Sequence, residues 1–519
     1  MKKYFMFAAV VTAGMLASCS SESLTGSDPK IETPDQADLV PIEIGVASSQ
    51  TKAGTRGTGT AGDIEGGTNI WNGEQINVLM YQISDADETT AANGEKATFN
   101  PVTDGATPNP HNLYDETTLL VTPLTVENTA SGIAKEIADG SPDPYTTPGT
   151  ATYKVKYYPA TGRSDFWGYY LGGYGTGANA SAAMGDLSNY TYDATNATIT
   201  AAADADVATV KAIAFKIDGT HDLMVAKAAT GGTHADGTFT GGQETKITNA
   251  GGNATIAKAA SYSAKAARQG LQPELEFKHL LSRLTFKVKP GNEKADGIIV
   301  TGIKVHSMTD GQLIAAYKYD QFEAEPQRII WNTPVMSATD PTAAAADYKE
   351  YPVLDLKQRT SATNRTMKGL DEVELDWITA ADIAAHTAHA TGVTEPQAYV
   401  SSVGDALLVA PQEKYYVEIA YKIPQHAARN WFADYANFDP ASPDYNKLLP
   451  GAYADAAGNV VVPPIKATIT RQDTNTNPSF VKGESYTVTI TMWGPEEIEI
   501  TTTLVPWVNS TDVISIDGE

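Results

Sequence analysis

The chain has 519 residues, with 37 Lys+Arg against 62 Asp+Glu and a formal charge of −25. That length allows two or more domains with real cores. The acidic balance excludes a nucleic-acid backbone as partner, since phosphates need basic surface, and suits a self-repelling surface protein.

The N-terminus reads as an export signal. Lys2 and Lys3 form a basic start, and Tyr4 to Leu16 form an apolar run too short to span a bilayer. The run ends in Leu16-Ala17-Ser18-Cys19, which is similar to a bacterial lipobox. This predicts a signal peptide over 1–18 and acylation at Cys19, with the new terminus held in outer-membrane lipid. Cys19 is the single cysteine of the chain, so no internal disulfide is available, and lipidation accounts for the lone thiol better than an ordinary secretory signal with a chance cysteine. Residues 20–38 are polar and Pro-containing, the composition of a tether.

Val40 to Val46 then places Ile42, Ile44 and Val46 on one face of a strand. Pro41 cannot donate to a ladder, which makes this a strand start or an edge. Residues 48–67 are rich in Gly, Thr and Ser, and Lys52 and Arg56 are their basic residues. An exposed Gly-rich loop with an arginine suits a trypsin-like processing protease. A strand held at the membrane on one side and by a cuttable loop on the other is a removable strand.

Short alternating segments follow, between clusters of Gly, Pro, Asn and Asp, and point to an all-β sandwich architecture. Ile76 to Tyr81 is a core strand after the Asn72-Gly73 turn signal, and strands are expected around Thr118 to Val126. Tyr153 to Pro159 and Ser164 to Tyr170, separated by Ala160-Thr161-Gly162, read as a hairpin. Residues 172–270, dominated by Ala, Gly, Thr and Asn, read as loops around strands near Ile213 to Ile217 and Asp222 to Lys227. A boundary falls near Gly270 to Pro273. Beyond it, strands are expected at Leu275 to His279, Leu284 to Lys289, Ile298 to Val305, Leu407 to Ala410, Tyr415 to Ile423, Tyr486 to Met492 and Ile498 to Leu504. Residues 425–464 read as an irregular insertion. After the Pro506-Trp507 break comes a short apolar segment, Val513-Ile514-Ser515-Ile516. It is free to pair with another molecule's open sheet edge, with Val513, Ile514 and Ile516 as its apolar residues.

Taken in order, these stretches resemble the fimbrillin-like subunits of type V pili in Bacteroidales. The resemblance runs through the lipobox, the Lys52/Arg56 loop before Trp71-Asn72-Gly73-Glu74-Gln75-Ile76-Asn77-Val78, and Tyr157-Tyr158-Pro159 with Asp165-Phe166-Trp167. It continues through Asp222-Leu223-Met224-Val225-Ala226, Phe277-Lys278-His279-Leu280-Leu281-Ser282-Arg283-Leu284, Leu407-Leu408-Val409-Ala410-Pro411-Gln412 and Pro506-Trp507. It implies two tandem transthyretin-like β-sandwich domains, lipoprotein export, a cut after a basic residue, and polymerisation by strand exchange. Arg56 matches the family's cleavage position best, with Lys52 the second choice. The expected division is a signal peptide over 1–18, a lipidated leader over 19–56, and domains over 57–272 and 273–519. Partners would be other copies of the chain or related pilus subunits, with surface fimbriae at the outer membrane as the location. Residues 172–270 depart from the family pattern.

Catalytic motifs weigh little. Residues 57–62 spell GxGxxG but lack a strand directly before and a helix directly after. His386 and His389 are spaced for one helical face yet lack the third ligand of a zinc site. His279 reads as a hydrogen-bonded core histidine, and Glu497 and Glu499 as the solvated face opposite Ile498 and Ile500. No enzyme, cofactor or metal is expected. The competing readings are a glycan-binding surface lipoprotein using Trp431, Phe432 and Tyr435, and, behind it, an extracellular hydrolase.

Overall fold

Apolar side chains at alternate positions make strands of most of the described residues, and the all-β expectation holds. The computed structural model describes residues 40–47, 75–83, 103–104, 107–108, 124–126, 131–137, 153–154, 157–158, 163–172, 187–202, 208–228, 262, 267–268, 272–275, 277–317, 327–332, 348–356, 367–368, 370–428, 451–471, 479–494 and 497–505. All of them belong to one unit, Val40–Glu519.

The first sheet contains β1 (Ile44–Ala47), β2 (Gln75–Ile83), β5 (Leu124–Val126), β6 (Ser131–Ile137), β7 (Tyr153–Lys154), β8 (Arg163–Tyr170), β12 (Met224–Lys227), β13 (Glu274–Leu275) and β14 (Lys278–His279). Its order is β13-β1-β6-β5-β2-β8-β12-β14, with β7 also on β6. The second sheet, in order, is β10 (Thr198–Ala201), β9 (Ser188–Asp193), β11 (Val210–Lys216), β17 (Asp310–Tyr317) and β18 (Ile329–Trp331). The third is β25 (Ser401–Val409), β15 (Ser282–Pro290), β29 (Ser485–Met492) and β30 (Ile498–Val505). The fourth is β19 (Lys349–Pro352), β16 (Ile299–Ser307), β26 (Lys414–Ile423), β28 (Val460–Thr470) and β27 (Tyr453–Ala454), with β22 (Val373–Glu374) also on β16. Small ribbons join β3 (Thr103–Asp104) to β4 (Thr107–Pro108), β20 (Asp355–Leu356) to β21 (Met367–Lys368), and β23 (Trp377–Ile378) to β24 (Gln397–Ala398). The α-helices among the described residues are short, α1 (Ala380–Ala385) and α2 (Gln425–Ala428). No helix among the described residues is long and apolar enough to cross a membrane.

The third and fourth sheets share one core. Leu284, Phe286 and Val288 of β15 and Val488 and Ile490 of β29 cluster with Ile303 and Val305 of β16 and Val417, Ile419 and Tyr421 of β26. That is the sandwich arrangement. The first sheet is buried on both faces at its centre. Leu79, Trp167, Tyr169 and Val225 join the large core, while Val78, Met80, Phe166, Tyr170, Met224 and Ala226 turn to a second, smaller one.

Several details differ from the sequence-based expectation. Residues 153–159 and 164–170 do not form a hairpin with each other: β7 pairs with β6, and both edges of β8 are occupied, by β2 and β12. Residues 172–270 hold an additional hairpin, β9–β10, beside β11. Its turn is closed by Asp193, whose Oδ1 accepts from Thr195 N at 2.8 Å and whose Oδ2 accepts from Asn196 Nδ2 at 2.7 Å. The supposed irregular insertion ends early, because β28 begins at Val460. Pairing also crosses the 272/273 junction: β13 and β14 complete the first sheet, and β11 pairs with β17.

Candidate functional site

The residue pattern of the first strand sets the site. β1 lies between two neighbours, antiparallel to β6 through Ile44↔Ala134 to Ala47↔Ser131 and parallel to β13 through Gly45↔Glu274 and Val46↔Leu275. It is therefore inside the sheet and not at an edge. Pro41 stands just ahead of it as the start signal it was read to be, in an isolated bridge with Tyr157. Gly45 N donates to Pro273 O at 2.9 Å, and Tyr158 N donates to Val40 O at 2.8 Å.

One side chain extends this ladder. The amide of Gln272 accepts from Glu43 N at 3.2 Å and donates from Nε2 to Pro41 O at 3.2 Å. It thus pairs with the strand start where proline interrupts the backbone pattern. The Tyr158 hydroxyl also donates to Gln272 Oε1, at 3.2 Å. Burial, helped by Tyr262, pushes the Tyr158 phenol well above its ordinary value, so it remains a neutral donor.

The apolar face of β1 fills the smaller core. Ile44 and Val46 are 2% and 1% exposed, Val40 is buried, and Ile42 packs half-buried at the margin. They meet Ile76, Val78, Met80, Leu275 and Phe277 in one cluster with an aromatic floor. In that floor Tyr158 and Phe166 stand edge to face at 6.1 Å, and Phe166 and Tyr262 at 5.6 Å. Full burial of such aliphatic side chains is worth about 1.5–3 kcal/mol each. Gly168 keeps the seat open: a Cβ there would come within 2.7 Å of the Phe277 ring and 3.1 Å of Leu275. Withdrawing β1 would leave an apolar slot flanked by two backbone edges ready to pair, which is the chemistry of strand addition.

The remaining expected positions divide plainly. Cys19, Lys52 and Arg56, the terminal Val513, Ile514 and Ile516, residues 57–62, and the aromatics Trp431, Phe432 and Tyr435 lie outside the described residues. His386 and His389 do not share a helical face. His386 ends α1 in a left-handed conformation (φ 51°), and His389 lies beyond it, bonded to Asp376 and stacked on Tyr399 at 4.2 Å. His279 is a buried histidine bonded to Asp222, tying β14 to the approach to β12. Glu497 and Glu499 are exposed opposite half-buried Ile498 and Ile500. Gln272 and Tyr158 were missed as members of the site. Gln272 carried no signal beyond adjoining a proline at a supposed boundary.

No protein-family model matches the chain, and no curated protein does. Among solved structures it is similar to a Bacteroides uniformis protein assigned to cell adhesion, at 12% identity over 91% of this chain and 100% of that one, TM-score 0.31. It is also similar to the fimbrial anchor protein Mfa2 of Porphyromonas gingivalis, at 7% identity over 90% and 99% of the two chains, TM-score 0.25. The tip fimbrial protein Mfa3 of the same organism matches at 9% identity over 90% and 100%, TM-score 0.24. These neighbours are adhesion and fimbrial proteins. At such identities and scores they carry no functional argument, which rests on the seat of β1.

Proposed function

We propose that this chain is a structural subunit of a cell-surface fimbrium, exported as a lipoprotein on Cys19, cut after Arg56, and polymerised by exchange of its first strand for another subunit's. The observation that carries the reading is β1. A strand directly downstream of a tether lies inside a sheet, with Ile44 and Val46 buried and both its edges paired. A 27-residue stretch, 48–74, separates it from β2 and contains both Lys52 and Arg56. Cutting there turns β1 from part of the chain into a replaceable peptide. While it is attached, its high effective concentration beside its own site keeps a second strand out. The segment beyond Val508, with Val513, Ile514 and Ile516, is the proposed donor for the next subunit's slot.

The test is Arg56→Ala made together with Lys52→Ala. The expected product is a folded, lipid-anchored monomer with no filaments. Filaments as long as those of the unaltered protein would reject the cleavage step.

A further inference from the structure

On the outer face of the fourth sheet, His306 of β16 lies between two carboxylates. Glu350 of β19 is its direct cross-strand partner, and Glu418 of β26 is opposite Lys304, two residues earlier on β16. One ligand-capable atom from each of His306, Glu350 and Glu418 lies within 4.8 Å of the other two, and His306 Nε2 is 3.7 Å from Glu418 Oε1. His306 is 3% exposed, yet among the described residues neither Nδ1 nor Nε2 has a hydrogen-bond partner. The Tyr416 hydroxyl, whose ring packs against His306 at 4.9 Å, also lacks one. Buried imidazole nitrogens are normally satisfied, one as donor and one as acceptor.

We propose that His306, Glu350 and Glu418 form a binding site for a divalent transition-metal ion, with Zn2+ as the reference case, which staples β19, β16 and β26 together. A mixed imidazole and carboxylate set suits zinc better than calcium, which takes oxygen ligands. Bonds of about 2.0–2.2 Å around a tetrahedral zinc hold donors about 3.3 Å apart, so the three groups must draw inward. Glu350, with its side chain 50% exposed, has the freedom to do so. Two ammonium groups compete for the same carboxylates: Lys304 Nζ is 2.7 Å from Glu350 and Lys466 Nζ is 3.7 Å from Glu418. Their side chains are 49% and 59% exposed, so each can swing into water at little cost. The exposed side of Glu350 leaves room for a water as fourth ligand.

The experiment is equilibrium dialysis of the full chain against Zn2+ alone, comparing the unaltered protein with Glu350→Gln, Glu418→Gln and Lys304→Met. The expected result is one bound ion per chain that each Gln variant weakens by at least about tenfold, since even outer-shell changes at metal sites cost that much. Lys304→Met, which removes a competing cation, is expected to tighten binding. Glu350 is exposed, so its substitution leaves the fold in place, and X-ray absorption on the unaltered protein should show one imidazole nitrogen among oxygens. No zinc bound, zinc bound equally by all four proteins, or Lys304→Met weakening binding as the Gln variants do would each overturn the proposal. The last outcome would make the cluster a ladder of ion pairs only.

Discussion

Gln272 does with one amide what a strand does with its backbone. Its oxygen accepts from Glu43 N and its nitrogen donates to Pro41 O, each at 3.2 Å. Both bonds are exposed to solvent, so each contributes the modest net amount of an ordinary hydrogen bond, about 0.5–1.5 kcal/mol. Gln272→Ala is therefore expected to destabilise the uncut chain by about 1–2 kcal/mol, read as a lower urea midpoint. In a chain cut after Arg56 and freed of its leader, the same substitution should cost clearly less, because of its partners only the Tyr158 hydroxyl remains. An equal loss in both forms would mean that Gln272 acts elsewhere. The residue was not legible in advance. A glutamine beside Pro273 signals a linker as readily as a clamp, and only the approach of a strand 229 positions away gives it a role.

At the scale of elements, β1 depends on two side chains more than on three. Ile44 and Val46 are buried and Ile42 is half-exposed. Truncating a buried Ile to Ala costs about 2–5 kcal/mol. Ile44→Ala and Val46→Ala should each lower the stability of the uncut protein markedly, and Ile42→Ala clearly less, measured by chemical denaturation. Comparable losses at Ile42 and Ile44 would contradict the seating described. This face was readable because alternation survives where one side of a strand meets the core. Elsewhere that signal fails for identifiable reasons. In β17, Leu313 through Tyr317 are buried without a break, so no alternation marks the strand. In β28, Pro463 and Pro464 argue against a ladder, yet they are exposed where the pairing with β26 shifts register between Ile419 and Tyr421. A proline is tolerated at such a bulge. The hairpin expected from Tyr153 to Tyr170 failed because β2 and β12, both distant in sequence, claim the two edges of β8. Local turn chemistry cannot reveal that competition.

For the whole molecule, the proposed exchange joins the start of one chain to the end of another. The uncut protein carries its own strand in the slot between β6 and β13. The strand proposed to replace it in a neighbour begins beyond β30, the outer strand of the third sheet, whose Leu504 is 46% exposed. Exchange keeps the number of buried apolar side chains nearly constant and replaces one set of ladder bonds by another. The proposed cut, by removing the covalent tether, would decide which strand occupies the slot. The most direct measurement is the amino-terminal residue of subunits in isolated filaments. Gly57 at that end is the predicted result, with the leader absent from the polymer. Acylated Cys19 still attached to polymerised shaft subunits would contradict strand replacement as the means of assembly.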